Sequence, residues 1–495
     1  MSRHLLSGDS GVSVRRVLAL LGLAAALGTG PAAAAPPPVP APAEPGTAQP
    51  GQGHGGPFGF LDGISRSSTL LGDLWGLRTW LSRSGLTLSL QETSELLGNV
   101  SGGIQQGFKY EGLTQAVLQL DTQRAWNQHG GTVNLSALQI HGSNLSASNL
   151  GTLQTASGIE ADRATRLWEI WYQQKFLEED RLDVKVGQQS LDQEFMVSQN
   201  ANSFVNTMFG WPMLPSADLP GGGPAYPLSA LGVRFRGRPA DAVTLLAGVF
   251  NGSPTAGNGG DPQRQDPAGT SFPLRGGALA IAEVQYAYPS LGTMIRAGES
   301  EPLARLYKAG IWYDTERFAD LRYDTAGRSL ADPAGSGIPM THRGDWAAYA
   351  VADQMFWRDP GEPDRNLYGF LRVMGTPEGD RNLITFSLNA GFTFHEPFNH
   401  RDDDTCGIAM GYAKVGSHAR GLDQDTGAFA RAFYPVRGGE TFLEGTYQYQ
   451  ATPWWQLQPD LQVVIRPGAG VLDPGTPGRT IRNETVLGLR TTILF

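Results

Sequence analysis

Glu484 to Phe495 reads ETVLGLRTTILF, and this stretch decides the fold. In an extended chain Leu487, Leu489, Thr491, Ile493 and Phe495 fall on one face, and Glu484, Gly488, Arg490 and Thr492 on the other. Successive side chains of a strand point to opposite sides, so this is the pattern of a strand with one apolar and one polar neighbour. The same period recurs upstream. In Gln456–Arg466, Leu457, Leu461, Val463 and Ile465 alternate with Gln458, Asp460, Gln462 and Arg466. In Glu440–Gln450, Leu443, Tyr447 and Tyr449 alternate with Glu444, Thr446, Gln448 and Gln450. Segments of about ten residues with this alternation are the code of a membrane-crossing β-barrel, lipid on one side and lumen on the other.

A soluble β-sandwich alternates as well, so further features must separate the two. The sequence ends on Phe495 inside a strand pattern. Aromatic residues such as Trp346, Trp357, Trp454 and Trp455 lie near strand ends, where interface girdles form. Short connections alternate with long ones rich in Gly, Pro and Asp, as periplasmic turns and extracellular loops do. Seventeen strands are legible, near 85–97, 108–121, 132–141, 165–176, 181–190, 228–238, 241–250, 277–288, 291–299, 306–314, 345–357, 366–374, 382–394, 406–416, 440–450, 454–466 and 483–495. Bacterial single-chain barrels close with an even number, so sixteen are expected and one segment is surplus. Sixteen strands enclose a water-filled lumen. The fold class is all-β, a transmembrane antiparallel β-barrel over 84–495. Ahead of it Leu71, Leu74, Trp75, Leu77, Trp80 and Leu81 have helical spacing and predict a short amphipathic helix over 70–83.

The first residues are read as a cleaved export signal, 1–35: Arg15 and Arg16, the apolar run Val17 to Leu27, then Ala32 to Ala35 with A-x-A sites. The run is too short to span a bilayer, which takes roughly 20 apolar residues. Residues 36–69 are rich in Pro, Ala and Gly and predict a flexible linker. Its Gly51-x-Gly53-x-x-Gly56 matches a dinucleotide fingerprint in spelling only, with no strand before it. Beyond the signal no run of 18 apolar residues occurs, so helical spans are excluded. The chain carries 38 Lys and Arg against 47 Asp and Glu, net −9. That balance argues against a nucleic-acid partner. Cys406 is the single cysteine, so no intrachain disulfide is available. No G-x-S-x-G or H-E-x-x-H motif occurs, and His395, Glu396 and His400 have the wrong spacing for a metal pair on one helix face. Asp402, Asp403 and Asp404 read as a solvated turn. No enzyme, cofactor or metal is expected.

Recognition of a sugar in water would need an aromatic face for the C–H side of the ring and fixed polar groups for the hydroxyls. The hairpin 165–190 offers both. Thr165, Leu167, Glu169, Trp171, Gln173 and Lys175 share one face in strict alternation, and Arg181, Asp183, Lys185, Gly187 and Gln189 share the facing one. A three-residue turn at Glu178-Glu179-Asp180 sets Lys175 opposite Asp183, Gln173 opposite Lys185, Trp171 opposite Gly187 and Glu169 opposite Gln189. Trp171 beside a residue without a side chain would leave room for a flat ligand. Glu95 and Glu194 are further candidates for binding. The loop 195–227, with Trp211, Asp218 and Tyr226, is expected to fold inward as the constriction, since so long a loop is usually functional.

These residues resemble the OprB-type carbohydrate-selective porins. The resemblance is carried by GDLWGLRTWLSRSGLTLSLQETSELLGNVSGG (72–103), TRLWEIWYQQKF (165–176), KVGQQSLDQEF (185–195), FGWPMLPSADLPGGGPAYPLSALGVRFR (209–236), TLLAGVFNG (244–252), TPWWQLQPDLQ (452–462) and VLGLRTTILF (486–495). It implies a sixteen-stranded barrel, inward-folded loops narrowing the pore, and a preference for monosaccharides such as glucose. The expected partners are sugars or small neutral solutes, outer-membrane lipid, and the barrel-assembly machinery through Phe495. A homotrimer is left open. A general porin without selectivity, and an exported soluble β-rich sugar-binding protein, are the competing readings.

Overall fold

A computed structural model describes residues 68–255, 260–290, 302–399, 401–476 and 478–495. Its strands, β1 to β16 in chain order, begin with Leu86–Ser101, Gly107–Asp121, Gly131–Gly142 and Ala164–Phe176. β5 to β8 are Leu182–Gln189, Ala230–Ala240, Val243–Asn251 and Ala278–Tyr288. β9 to β12 are Arg305–Asp324, Pro339–Arg358, Asn366–Gly375 and Ile384–His395. β13 to β16 are Thr405–Val415, Gly439–Thr452, Trp455–Ile465 and Glu484–Leu494. Each pairs antiparallel with its neighbours in sequence, and β16 returns to β1 with Arg490 opposite Glu95, closing the barrel. The export segment, the linker through 67 and the expected strand 291–299 lie outside the described residues. The barrel closes at sixteen without 291–299, because β8 pairs directly with β9.

Closure satisfies every ladder without an edge, which is what hydrocarbon demands of a sheet. The alternation then sorts side chains between lipid and lumen. In β15 Leu461 is 44% exposed and faces out, while Gln462 is wholly buried and faces in. The end that carries Leu86 and Leu494 has short connections such as 177–181, 241–242 and 453–454. The opposite end carries 143–163, 190–229, 252–277, 416–438 and 466–483. By the sidedness of outer-membrane barrels, the first end is periplasmic and the second extracellular.

Three features differ from the sequence reading. First, β9 and β10 run well past the expected 306–314 and 345–357, pairing as far as Asp324 opposite Pro339. This extension holds Glu316, Arg317, Asp320 and Arg343, so it lacks the apolar face that betrays a strand in lipid. Second, the helix is confined to Leu77–Arg83. Residues 69–76 form turns, with Gly72, Leu74, Trp75 and Gly76 all at positive φ, and Asp73 accepts from Thr79 N at 2.7 Å. None of its residues is buried. It lies at the periplasmic rim, where Arg78 donates to the carbonyl oxygen of Phe495. Third, the register between β3 and β4 shifts at Trp168: Ser136 faces Glu169 and Ala137 faces Leu167. One extra residue inverts the inside–outside parity. Glu169, Trp171, Gln173 and Lys175 share the lumen face as expected, but Thr165 and Leu167 turn outward, and Arg166 and Trp168 replace them inside.

Candidate functional site

The lumen is shaped by the connection 190–229. Its apolar side, Leu191, Phe195, Met196, Phe204, Met208 and Phe209, packs on lumen-facing Phe250, Ile281, Trp312, Tyr349, Phe370 and Phe442. The Phe209 ring stands edge-on to Phe370 and Phe442, with centroids 5.8 and 5.3 Å away. A loop laid against a wall must also pair its backbone, since a buried unpaired N–H or C=O is costly. Charged wall residues supply those partners. Glu283 accepts from Met196 N at 2.9 Å, and Glu444 from Val205 N and Asn206 N at 2.6 and 3.1 Å. Asp353 accepts from the side chains of Ser198 and Asn200. Lys308 donates to Val197 O at 2.7 Å. Arg372 donates to the carbonyls of Met196 and Gly210, both at 2.9 Å, and to those of Met208 and Phe209.

A second connection, 143–163, also folds inward. Glu440 accepts from Leu153 N and Gln154 N at 2.8 and 2.7 Å, and Glu111 from Leu145 N at 2.8 Å. The two loops touch where Tyr226 donates to Ile159 O at 2.8 Å. This second loop escaped the sequence reading, because its anchors are distant in the chain.

The hairpin β4–β5 has the expected register, with Lys175 opposite Asp183, Gln173 opposite Lys185 and Trp171 opposite Gly187. The ladder ends at Ile170 and Gln188, so Glu169 and Gln189 lie beyond it. The slot expected over Gly187 is not open. A Cβ there would lie 2.3 Å from Ile170 O and 2.7 Å from Trp171 Cα, so the neighbouring strand fills the place of the missing side chain. The Trp171 ring is instead capped by Lys185, whose Nζ lies 4.3 Å from the centroid. Lys185 also pairs with Glu194, which pairs in turn with Arg234; Arg234 pairs with Asp183, and so does Arg236, at 2.6 Å. Burial alone would raise the Glu194 carboxyl, but Lys185 and Arg234 outweigh it and hold it at about 2.

Glu169, Trp171 and Glu194 therefore gather around Lys185, with Glu169 accepting from Ser190 N at 2.9 Å. Gln189 donates to Gly232 O at 3.0 Å. The other three are elsewhere. Glu95 pairs with Arg490. Trp211 donates to Gly222 O at 2.9 Å within the loop. Asp218 accepts from Leu383 N and Ile384 N at 2.7 and 3.2 Å. Six of the seven are buried, Trp171 at 8% and Gln189 at 2% exposed, and Glu194 is half-buried. Arg234 and Arg236 were missed, although their alternation in RFRGR (234–238) places both on one strand face.

A family model described as "Carbohydrate-selective porin, OprB family" matches residues 105–495. Porin B of Pseudomonas aeruginosa is 22% identical over 427 residues, which cover 81% of this chain and 87% of that protein. The structure of Pseudomonas putida OprB at high pH superposes with a TM-score of 0.75 at 21% identity, over 87% of this chain and 99% of that one. Its low-pH structure gives a TM-score of 0.50 at 16% identity, with the same coverage. The chain, a closed sixteen-stranded barrel with two loops clasped inside its lumen, belongs to the carbohydrate-selective porin OprB family and is a channel of the bacterial outer membrane, not an enzyme.

Proposed function

We propose that the pore passes neutral monosaccharides, with glucose as the reference solute, by passive diffusion past the constriction made by 190–229. The observation that carries this reading is the chemistry of the wall that β1–β4 turn to the lumen. Thr87, Ser89, Gln91, Gln115 and Gln173 are half-buried and Gln119 is exposed; all are neutral, and each can both donate and accept a hydrogen bond. Such groups match hydroxyls without favouring a charge. Each bond to a sugar replaces bonds to water and nets only about 0.5–1.5 kcal/mol. That weakness suits a channel, since the solute must also leave.

Trp171 and Glu169 share the face of Gln173 but are buried there, as is Gln189, and Glu194 comes from the inward connection. Their role in this reading is to fix, through Lys185, the strand from which Gln173 and Lys175 reach the lumen. Glu95, Trp211 and Asp218 anchor the barrel seam and the inward loop. The test is swelling of proteoliposomes in isosmotic solutes. Glucose is expected to enter faster than gluconate, which is similar in size but charged, and faster than a trisaccharide. Equal rates for glucose and gluconate would leave a general porin.

A further inference from the structure

The chain carries more acid than base, yet cations gather at one place near its extracellular mouth. A cavity of about 610 Å³ lies between the connections 143–163 and 252–277. Its walls include Lys109, Arg163, Arg166 and Arg264, against a single carboxylate, Asp162. Lys109 stands opposite the buried Leu97 and so belongs to the lumen face of β2. The cavity is thus on the inner side of the wall, at its extracellular end.

Its acceptors are already bonded within the protein. Asp162 is paired with Arg264 at 2.8 Å. The side-chain oxygen of Asn144 accepts from Ala147 N, and that of Gln263 from Asp162 N, both at 2.7 Å. Two carboxylates beside Arg166 are engaged as well. Asp261 accepts from Gln263 N at 2.9 Å, and Asp266 from Thr270 N and Ser271 N at 3.1 and 3.3 Å. The donors are a different matter. Among the described residues the side chains of Lys109 and Arg163 have no ion-pair or hydrogen-bond partner, and neither have the amide NH2 groups of Asn144 and Gln263. Arg166 is 2% exposed and its Nε has no partner. Its terminal nitrogens reach only Pro227 O and Gln263 O, at 3.4 and 3.3 Å. A buried guanidinium so weakly bonded is costly unless something else fills the place.

We propose that this cavity binds a phosphorylated sugar. A phosphate monoester carries close to two negative charges and three strong acceptor oxygens, which suits three cations without carboxylate partners. Arg163 and Arg166 offer planar forks and Lys109 a mobile point charge, and both kinds of group hold phosphate. Phosphate alone would leave most of the cavity empty, whereas cavities of this size suit a ligand as large as a sugar ester. The free amide NH2 groups of Asn144 and Gln263 are then available to ring hydroxyl oxygens. Free sugar phosphates and the phosphorylated saccharides of outer-leaflet lipid share this chemistry. The proposal rests on the groups around this cavity and not on which solute the constriction passes.

The test is equilibrium dialysis of the full-length protein, in a detergent without sugar, against radiolabelled glucose-6-phosphate. Saturable binding is expected, weakened about tenfold or more in Lys109→Gln combined with Arg163→Gln, which removes two charge-assisted bonds. Lys109→Arg combined with Arg163→Lys keeps both charges and is expected to retain binding. Neither side chain is bonded to the fold, so heat-modifiable migration should persist in both variants. Unlabelled glucose, or inorganic phosphate at equal concentration, is expected to displace little of the label. Phosphorylated saccharide freed from lipopolysaccharide separates the two sources: displacement by it assigns the site to lipid, and its failure to displace assigns the site to the free ester. No saturable binding, equal binding by the wild type and the Lys109→Gln, Arg163→Gln variant, or full displacement by glucose would overturn the proposal. Inorganic phosphate as effective as the ester would overturn the assignment to a sugar.

Discussion

Arg372 shows how one residue fixes the pore. It is fully buried, and its guanidinium donates to four loop carbonyls and to Asn389 rather than to a carboxylate. Each carbonyl stripped of its donor inside the barrel costs about 1–3 kcal/mol. Arg372→Met is therefore expected to free 190–229 from the wall while the sixteen-strand ladder stays closed. Single-channel conductance should rise with no loss of heat-modifiable protein; unchanged conductance would show that the remaining polar anchors and the apolar contacts hold the loop without Arg372. Trp171 tests the reading of the hairpin. Lys185 covers its ring and little of it is exposed, so Trp171→Ala should weaken glucose block of ion current less than Gln173→Ala, which removes a group on the lumen wall. Current-block analysis of the two variants decides this, and a larger effect at Trp171 would restore direct stacking.

At the scale of elements, the barrel follows from the alternation, and the alternation assigns a different cost to each face. Leu461→Arg should destabilise the barrel by about 2–4 kcal/mol if it sits near the bilayer midplane. Gln462, one residue on, is bonded to both inward loops: it accepts from Asn206 at 3.0 Å and donates to Ala156 O at 2.8 Å. Gln462→Arg should disturb both loops and alter conductance while the barrel still inserts, whereas Leu461→Arg should impair insertion; impaired insertion by Gln462→Arg alone would refute the parity. The seam depends on Phe495, whose N–H donates to Leu90 O at 2.9 Å and whose carbonyl oxygen accepts from Arg78. Deleting Phe495 should lower the amount of folded protein in the outer membrane. Strands inside the hydrocarbon belt were legible because lipid enforces an apolar face. The β9–β10 extension was not, since its outer side meets water and not lipid while its inner side is packed under 416–438, and the bulge at Trp168 was not, since one inserted residue leaves composition unchanged. The inward course of 143–163 rests on Glu440 and Glu111, far along the chain from the residues they hold, and no local pattern reports such a contact.

For the whole molecule, the hydrophobic organisation is that of a membrane pore with an internal core. Apolar residues cover the outside, and a second apolar cluster forms where the loop 190–229 meets the wall from β7 to β15. Opposite that cluster, β1–β4 present neutral amides and hydroxyls to the lumen, with Lys175 paired to Asp180 beside them. Selectivity in this account arises from that asymmetry: one side of the lumen is filled by a clasped loop, and the other offers weak, uncharged hydrogen bonds. Carboxylates and guanidinia are numerous inside the barrel, but most are bound to loop backbone or to one another, which removes them from direct contact with the solute. The most direct test of this claim is the ion current through single channels of the full-length protein in planar bilayers, with glucose titrated at constant salt. A saturable fall in current with glucose, which gluconate at equal concentration does not reproduce, is expected. A current that falls equally with both, or only in proportion to the viscosity of the solution, would contradict it.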